Sequence, residues 1–194
     1  MLAEKFERLA RFDSLTGLEN RMAMQMRLRD IFQTNDKRND AVAILWMDLD
    51  RFKEINDTNG HQAGDEVLFA IAERLKAVAP DGASVARLGG DEFAVILQID
   101  DPDLQKVESW VSLMIAGIAL PIETEMGPLE ATVSAGVAVH DDDLRADDQR
   151  DFPRALDPAE HHLPRRHADG RVRVGVVQPQ RQRGRVGEPG RRRH

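Results

Sequence analysis

The sequence predicts an α+β domain ahead of a basic, poorly ordered tail, and three observations carry that prediction. Helical and strand periodicities alternate over residues 1–143, a Gly-Gly turn joins two short apolar runs into a hairpin, and the composition changes abruptly near residue 143. Residues 1–143 hold 14 basic and 27 acidic side chains, whereas residues 144–194 hold 13 and 7. The later segment also carries five of the nine prolines and too few large apolar side chains to bury a core. At 194 residues and 41% apolar content the chain suits one domain with an appendage. The absence of cysteine excludes disulfide scaffolds, zinc fingers, iron–sulfur sites and thiol nucleophiles. No apolar run approaches the ~18 residues of a spanning helix, and Met1–Lys5 lacks the apolar stretch of a signal peptide. A soluble cytoplasmic protein without membrane contact is therefore expected.

Each element has its own signal. Leu2, Phe6, Leu9 and Phe12 recur at helical spacing and read as the end of an amphipathic helix. Thr16-Gly17 breaks it, and Asn20 can cap a second helix reaching about Phe32. After a polar loop, Asn35 to Asp40, the run Ala41 to Met47 is apolar throughout, as in a strand buried on both faces. Asp65 to Val78 is an amphipathic helix with Val67, Leu68, Ile71, Leu75 and Val78 on one face, stopped by Pro80. Val85 to Leu88 and Glu92 to Ile99 are strands about Gly89-Gly90. Gln105 to Leu120 is helical, with Val107, Val111, Met114 and Ile118 on a stripe, and Leu129 to Val139 offers a last strand. From Gln178 onward the chain is almost wholly Gln, Arg, Gly, Pro and Val, without period. Such a basic tail could meet RNA or acidic lipid, but Phe152 is its sole aromatic for base stacking, and solvated disorder is expected.

Two acidic corners suggest phosphate chemistry. Asp48 and Asp50 lie at the end of the first buried strand and, two residues apart, face the same way. Asp91 and Glu92 lie in the Gly-Gly turn, where backbone can approach a ligand closely. Paired strands would bring the corners together, and carboxylates around divalent ions support in-line displacement at phosphorus. On spacing alone, solvated turn acids and a metal site account for these residues equally, and His61 alone reads as a surface loop residue.

The words around the acids separate the alternatives. D-S-L-T-G-L-E-N-R from Asp13 to Arg21, D-L-D-R-F-K-E-I-N-D from Asp48 to Asp57, Gly60-His61 with Gly64 to Leu68, R-L-G-G-D-E-F from Arg87 to Phe93, and V-S-A-G-V-A from Val133 to Ala138 stand in order. Together they resemble the GGDEF family of diguanylate cyclases. The resemblance implies a nucleotidyl-cyclase-like, ferredoxin-related fold with a central, mostly antiparallel sheet. It implies condensation of two GTP into cyclic di-GMP with release of pyrophosphate, dependent on Mg²⁺ or Mn²⁺. Asp48, the Leu49 carbonyl and Asp91 would hold the metal, with Glu92 near a second ion and Asp91 serving as base for the ribose 3′-hydroxyl. Asn56 and Asp65 would read the guanine edge, Lys53 would meet a phosphate, and Gly89 and Gly90 would let backbone approach the substrate. His61 borders the substrate loop and, with Asp50, would support it. One GTP per domain implies a catalytic homodimer, and residues 1–12 match the place where a sensor domain joins. The implied division is residues 1–12, the end of a signalling helix; 13–143, the GGDEF domain; and 144–194, the tail.

Two departures stand out. The family's product-inhibition motif R-x-x-D falls on Pro80-Asp81-Gly82-Ala83, which lacks both functional residues. The family's closing helix and strand, roughly A-D-x-A-M-Y-x-A-K-x-x-G-R-N, has no counterpart in residues 144–194 beyond Ala168-Asp169-Gly170. The Arg-, Pro- and Gly-rich tail is what GC-rich coding DNA read one base out of frame would give. These departures leave a catalytically impaired GTP-binding or regulatory module as the alternative to an enzyme. A nucleic-acid binder is disfavoured because the domain is strongly acidic.

Overall fold

The computed structural model describes residues 8, 10–34, 41–99, 104–140 and 172–177. Among the described residues, three named helices, α1 (Arg21–Thr34), α2 (Phe52–Val78) and α3 (Leu104–Ile118), accompany eight strands. These are β1 (Glu19–Asn20), β2 (Ala41–Leu49), β3 (Ser84–Gly89), β4 (Glu92–Ile99), β5 (Ile122–Thr124), β6 (Gly127–Leu129), β7 (Val133–His140) and β8 (Val172–Val177). The main sheet has the order β1-β3-β4-β2-β7-β8, and β5 pairs only with β6. Every pairing in the main sheet is antiparallel except β1 with β3.

The apolar run of β2 occupies the middle of the sheet because both its faces are covered. Val42 and Ile44 pack with Met24, Leu28 and Ile31 of α1, joined by Ala86, Leu88, Ala94 and Ile96. The alternate residues Ala43, Leu45, Met47 and Leu49 meet Val67, Leu68, Ile71 and Leu75 of α2 and Val111, Met114 and Ile118 of α3. The period-2 alternation of the strand thus divides its side chains between two cores. Each fully buried large side chain there contributes about 1.5–3 kcal/mol relative to exposure.

The helix expected from Asp65 begins earlier, at Phe52, and continues through a break at Gly60. Residues 53–62 are mainly polar, and only Phe52 and Ile55 of this first part pack partly on the core, so no apolar stripe marks it. The strand expected over 129–139 divides: Leu129 ends the small β5–β6 hairpin, and β7 starts at Val133. β8 lies within residues 144–194, for which the sequence offered no element, and extends the sheet beyond β7. The N-terminal helix expected from Leu2 to Phe12 lies mostly outside the described residues, although the Phe12 amide donates to the Arg8 carbonyl at 2.9 Å. The loop 35–40 and the rest of the tail also lie outside them. Among the described residues, no helix is long and apolar enough to cross a membrane.

Candidate functional site

The register of β2 joins the two acidic corners. Asp48 is the Cα partner of Glu92 on one side and of Ser134 on the other. Cross-strand partners share a face, so Asp48, Glu92 and Ser134 lie on the α1 side, beyond the apolar residues that α1 covers. The Leu49 amide donates to the Asp91 carbonyl at 3.2 Å, tying strand end to turn. Asp50 faces the same group: its carboxylate accepts from the Thr132 hydroxyl at 2.7 Å and the Ser134 hydroxyl at 2.6 Å. Asp50 therefore fixes β2 to the start of β7.

The turn itself is braced from two directions. Gly89 and Gly90 have φ of 141° and 55°, conformations that disfavour a side chain, and a register shift separates Arg87 from Gly89. Arg87 donates twice to the Gly90 carbonyl, at 3.0 and 2.7 Å, and once to Asp13 Oδ1 at 3.1 Å. Asp13 Oδ1 also accepts from the Thr16 amide and hydroxyl, at 2.9 and 2.7 Å. Burial pushes the Asp13 carboxyl up, but the Thr16 donors and Arg87 together hold it below its ordinary value. From the other side, Arg21 donates to the Leu88 carbonyl at 3.1 Å and to Glu92 Oε2 at 3.0 Å. Arg21 is held in place because Asn20 caps α1, its Oδ1 accepting from the Ala23 amide at 2.9 Å.

Arg21 and Arg87 are site residues that the sequence reading left without a role. Their signal was positional. Each is the one cation of a motif that otherwise holds turn, cap, acidic and apolar residues, and turn acids require a partner when drawn together.

A second corner lies on the first part of α2. Arg51, at φ 56°, turns the chain from β2 into the helix. Gly60, at φ 86° and ψ 161°, then interrupts it, so Asn56 comes to lie against Gly64, next to Asp65. Asn56 is half-buried, whereas Lys53, His61 and Asp65 are exposed. The β5–β6 hairpin clasps this helix: the Glu125 amide donates to Glu66 Oε2 at 2.9 Å, and Gln62 Nε2 donates to Glu125 Oε2 at 2.8 Å.

Among the described residues, no three His, Asp or Glu side chains converge as a ready metal cage. The donors at the acidic corner are all oxygens, and two carboxylates meet there as cross-strand partners, with Asp91 in the adjoining turn. Mg²⁺ commonly takes one or two carboxylates and leaves its other positions to water and substrate phosphates. The donor set therefore fits Mg²⁺ or Mn²⁺.

Comparison with known proteins agrees with this geometry. Residues 10–173 match the family profile described as diguanylate cyclase, GGDEF domain. The diguanylate cyclase TpbB of Pseudomonas aeruginosa is 39% identical over 134 residues, which is 68% of this chain and 30% of that protein. The cyclic di-GMP phosphodiesterase NbdA of the same organism is 35% identical over 135 residues, 70% of this chain and 17% of NbdA. The chain thus spans less than a third of either relative. The crystal structure of a sensory box/GGDEF family protein from Caulobacter crescentus superposes with a TM-score of 0.65 at 36% identity, covering 69% of this chain and 86% of that one.

Proposed function

Because the chain belongs to the GGDEF, diguanylate cyclase, domain family, we propose that it condenses two GTP into cyclic di-GMP, releasing two pyrophosphates, as a homodimer of domains that each hold one GTP. The observation that carries this reading is the pairing of Asp48 with Glu92 beside the Gly89-Gly90 turn, which gathers the acids of two separate motifs on one face. Asp48, the Leu49 carbonyl and Asp91 would hold Mg²⁺ or Mn²⁺, with Glu92 near a second ion once released from Arg21. The metal, when bound, would neutralise triphosphate charge and polarise the α-phosphate. Asp91 would accept the proton of the ribose 3′-hydroxyl that attacks the α-phosphate of the GTP on the partner domain. Asn56 and Asp65 would select guanine, since a carboxylate accepts from N1–H and the 2-amino group and an amide can donate and accept. Lys53 would meet a phosphate as a point charge, and His61, which lies exposed on α2 just after the Gly60 break and not in the loop expected from the sequence, would border the substrate. Facing of two domains makes catalysis largely a matter of positioning, so a sensor joined ahead of residue 13 would control it through dimer geometry.

The direct test incubates the purified chain with GTP and Mg²⁺ and follows cyclic di-GMP by chromatography. Its formation, lost on chelation of the metal, is the expected result. GTP binding without product would favour the second reading, a regulatory GTP-binding module. That reading draws on the sequence of residues 144–194, which does not carry the family's Lys- and Arg-bearing closing motif.

A further inference from the structure

We propose that Gly64 is a positioning residue for base selection, its missing side chain forming the slot that holds the Asn56 carboxamide; this rests on the guanine-reading role proposed above for Asn56 and Asp65. A Cβ placed on Gly64 would lie 2.0 Å from Asn56 Oδ1 and 3.0 Å from Asn56 Cγ. Real carbon and oxygen atoms do not approach so closely, so any side chain at residue 64 evicts the carboxamide. The same Cβ would stand 3.2 Å from Phe52 Cζ, which closes the neighbouring direction.

The contact is one the helix alone could not make. Eight residues of straight α-helix rise about 12 Å, too far for residue 64 to touch residue 56. The interruption at Gly60 folds the two parts of α2 toward each other and creates the meeting point. Gly64 is itself buried in the second part and is not among the glycines with positive φ. The backbone there does not call for glycine, and alanine would be the better helix former. What glycine supplies is room. Asp65 follows directly, so one turn of helix presents the carboxylate and seats the amide, fixing the spacing of the two base-reading groups.

The test uses the full chain and the variants Gly64→Ala, Asn56→Ala and the two combined, with GTP and ATP affinities measured by competition against a fluorescent GTP analogue. Asn56→Ala is expected to lower GTP affinity about tenfold while leaving ATP affinity little changed. Gly64→Ala should reproduce that loss of preference at an equal or higher Tm, and the combined variant should be no worse than Asn56→Ala alone. A Gly64→Ala chain that keeps its GTP preference while Asn56→Ala loses it would overturn the role of Gly64 and leave the guanine reading standing. Full GTP preference in Asn56→Ala would overturn the guanine reading itself. A Gly64→Ala chain that melts well below wild type would make Gly64 a folding residue and overturn the proposal. One readout needs no nucleotide: the Asn56 side-chain amide resonances, assigned by their disappearance in Asn56→Ala, should move in Gly64→Ala. Unmoved resonances would overturn the proposal.

Discussion

The turn from Gly89 to Glu92 and the bend of α2 between Asn56 and Asp65 are fixed by opposite means. Charged donors hold the turn: Arg87 joins the Gly90 carbonyl to Asp13, and Arg21 joins Glu92 to the Leu88 carbonyl. Shape holds the bend: an interruption at Gly60 and an absent Cβ at Gly64 let one part of the helix close on the other. Charged braces weaken gradually with salt or pH and tolerate small displacements. A steric seat ignores both and fails at one added methyl group. The chemistry proposed for each region matches its support, since metal-bound phosphate tolerates adjustment and recognition of a base edge does not.

The largest expected effect falls on the acids themselves. Asp48→Asn or Asp91→Asn should reduce cyclic di-GMP formation by about 10³-fold or more, each removing a metal-directed charge. Both side chains are only half-buried, so the Tm should hardly change. Near-wild-type turnover in either variant would sink the metal assignment.

Breaking the brace comes next. Arg87 is largely buried and serves two acceptors, so Arg87→Ala should cost about 2 kcal/mol, or roughly 4–8 °C in Tm, as read by thermal melting. Its partner gives the pH dependence. The folded Asp13 carboxyl titrates below the ordinary 3.8, so its stabilisation is fully present above that value. It is lost as pH falls through the lower folded value. Asp13→Asn should therefore flatten the acid limb of the stability curve below about pH 4. An unchanged acid limb would mean that the brace does not depend on the Asp13 charge.

A smaller effect separates the two corners. Arg21 is more exposed than Arg87, and its pair with Glu92 is worth less. Arg21→Ala should lower turnover only a few-fold, about what loss of its hydrogen bond to the Leu88 carbonyl beside the turn commands at roughly 1 kcal/mol. It should leave any preference for GTP over ATP untouched, because the base-reading groups proposed above lie at the bend. A changed base preference would show that the corners are coupled and that the contrast between them is too sharp.

Legibility followed the same division. The sheet centre was readable because Ala41 to Met47 is unbroken apolar sequence, and the turn because consecutive glycines between apolar strands have few other uses. The expected pairing of acidic corners follows from β2–β4 register, which is local geometry carried by sequence periodicity. The first part of α2 was unreadable for a physical reason: it buries only Phe52 and Ile55 in part, so its helical period leaves no apolar trace. The seat at Gly64 was unreadable for another reason. A glycine needed for space looks like any other glycine until the atom it makes room for is located. Strand β8 had no signal because its flanks, rich in Arg, Pro and Gly, mask a six-residue stretch, Val172–Val177, that holds four valines.

The smallest effect expected is none at all, and it concerns the corner at Pro80–Ala83. There the chain lacks the arginine and aspartate that the family's product-inhibition motif would supply. A cavity of about 400 Å³ does open at this place, lined by Glu19, Arg27, Lys76 and Pro80 to Val85, among others. Its cations are engaged. Arg27 donates to the Gly82 carbonyl at 3.3 Å, and Lys76 donates to the Thr16 carbonyl at 3.2 Å and to Glu73 at 2.8 Å. Glu19, which accepts from the Ser84 hydroxyl, and the nearby Asp81 place negative charge where a cyclic dinucleotide would bring two phosphates. Binding there would break existing hydrogen bonds and set like charges together, with no bidentate guanidinium to compensate. Cyclic di-GMP added at micromolar concentration should therefore leave turnover unchanged and produce no heat of binding in calorimetry. Noncompetitive inhibition at that concentration would place an inhibitory site elsewhere. Substituting Pro80→Arg together with Ala83→Asp should then create product binding at this corner, read as a new heat of binding in the same calorimetry.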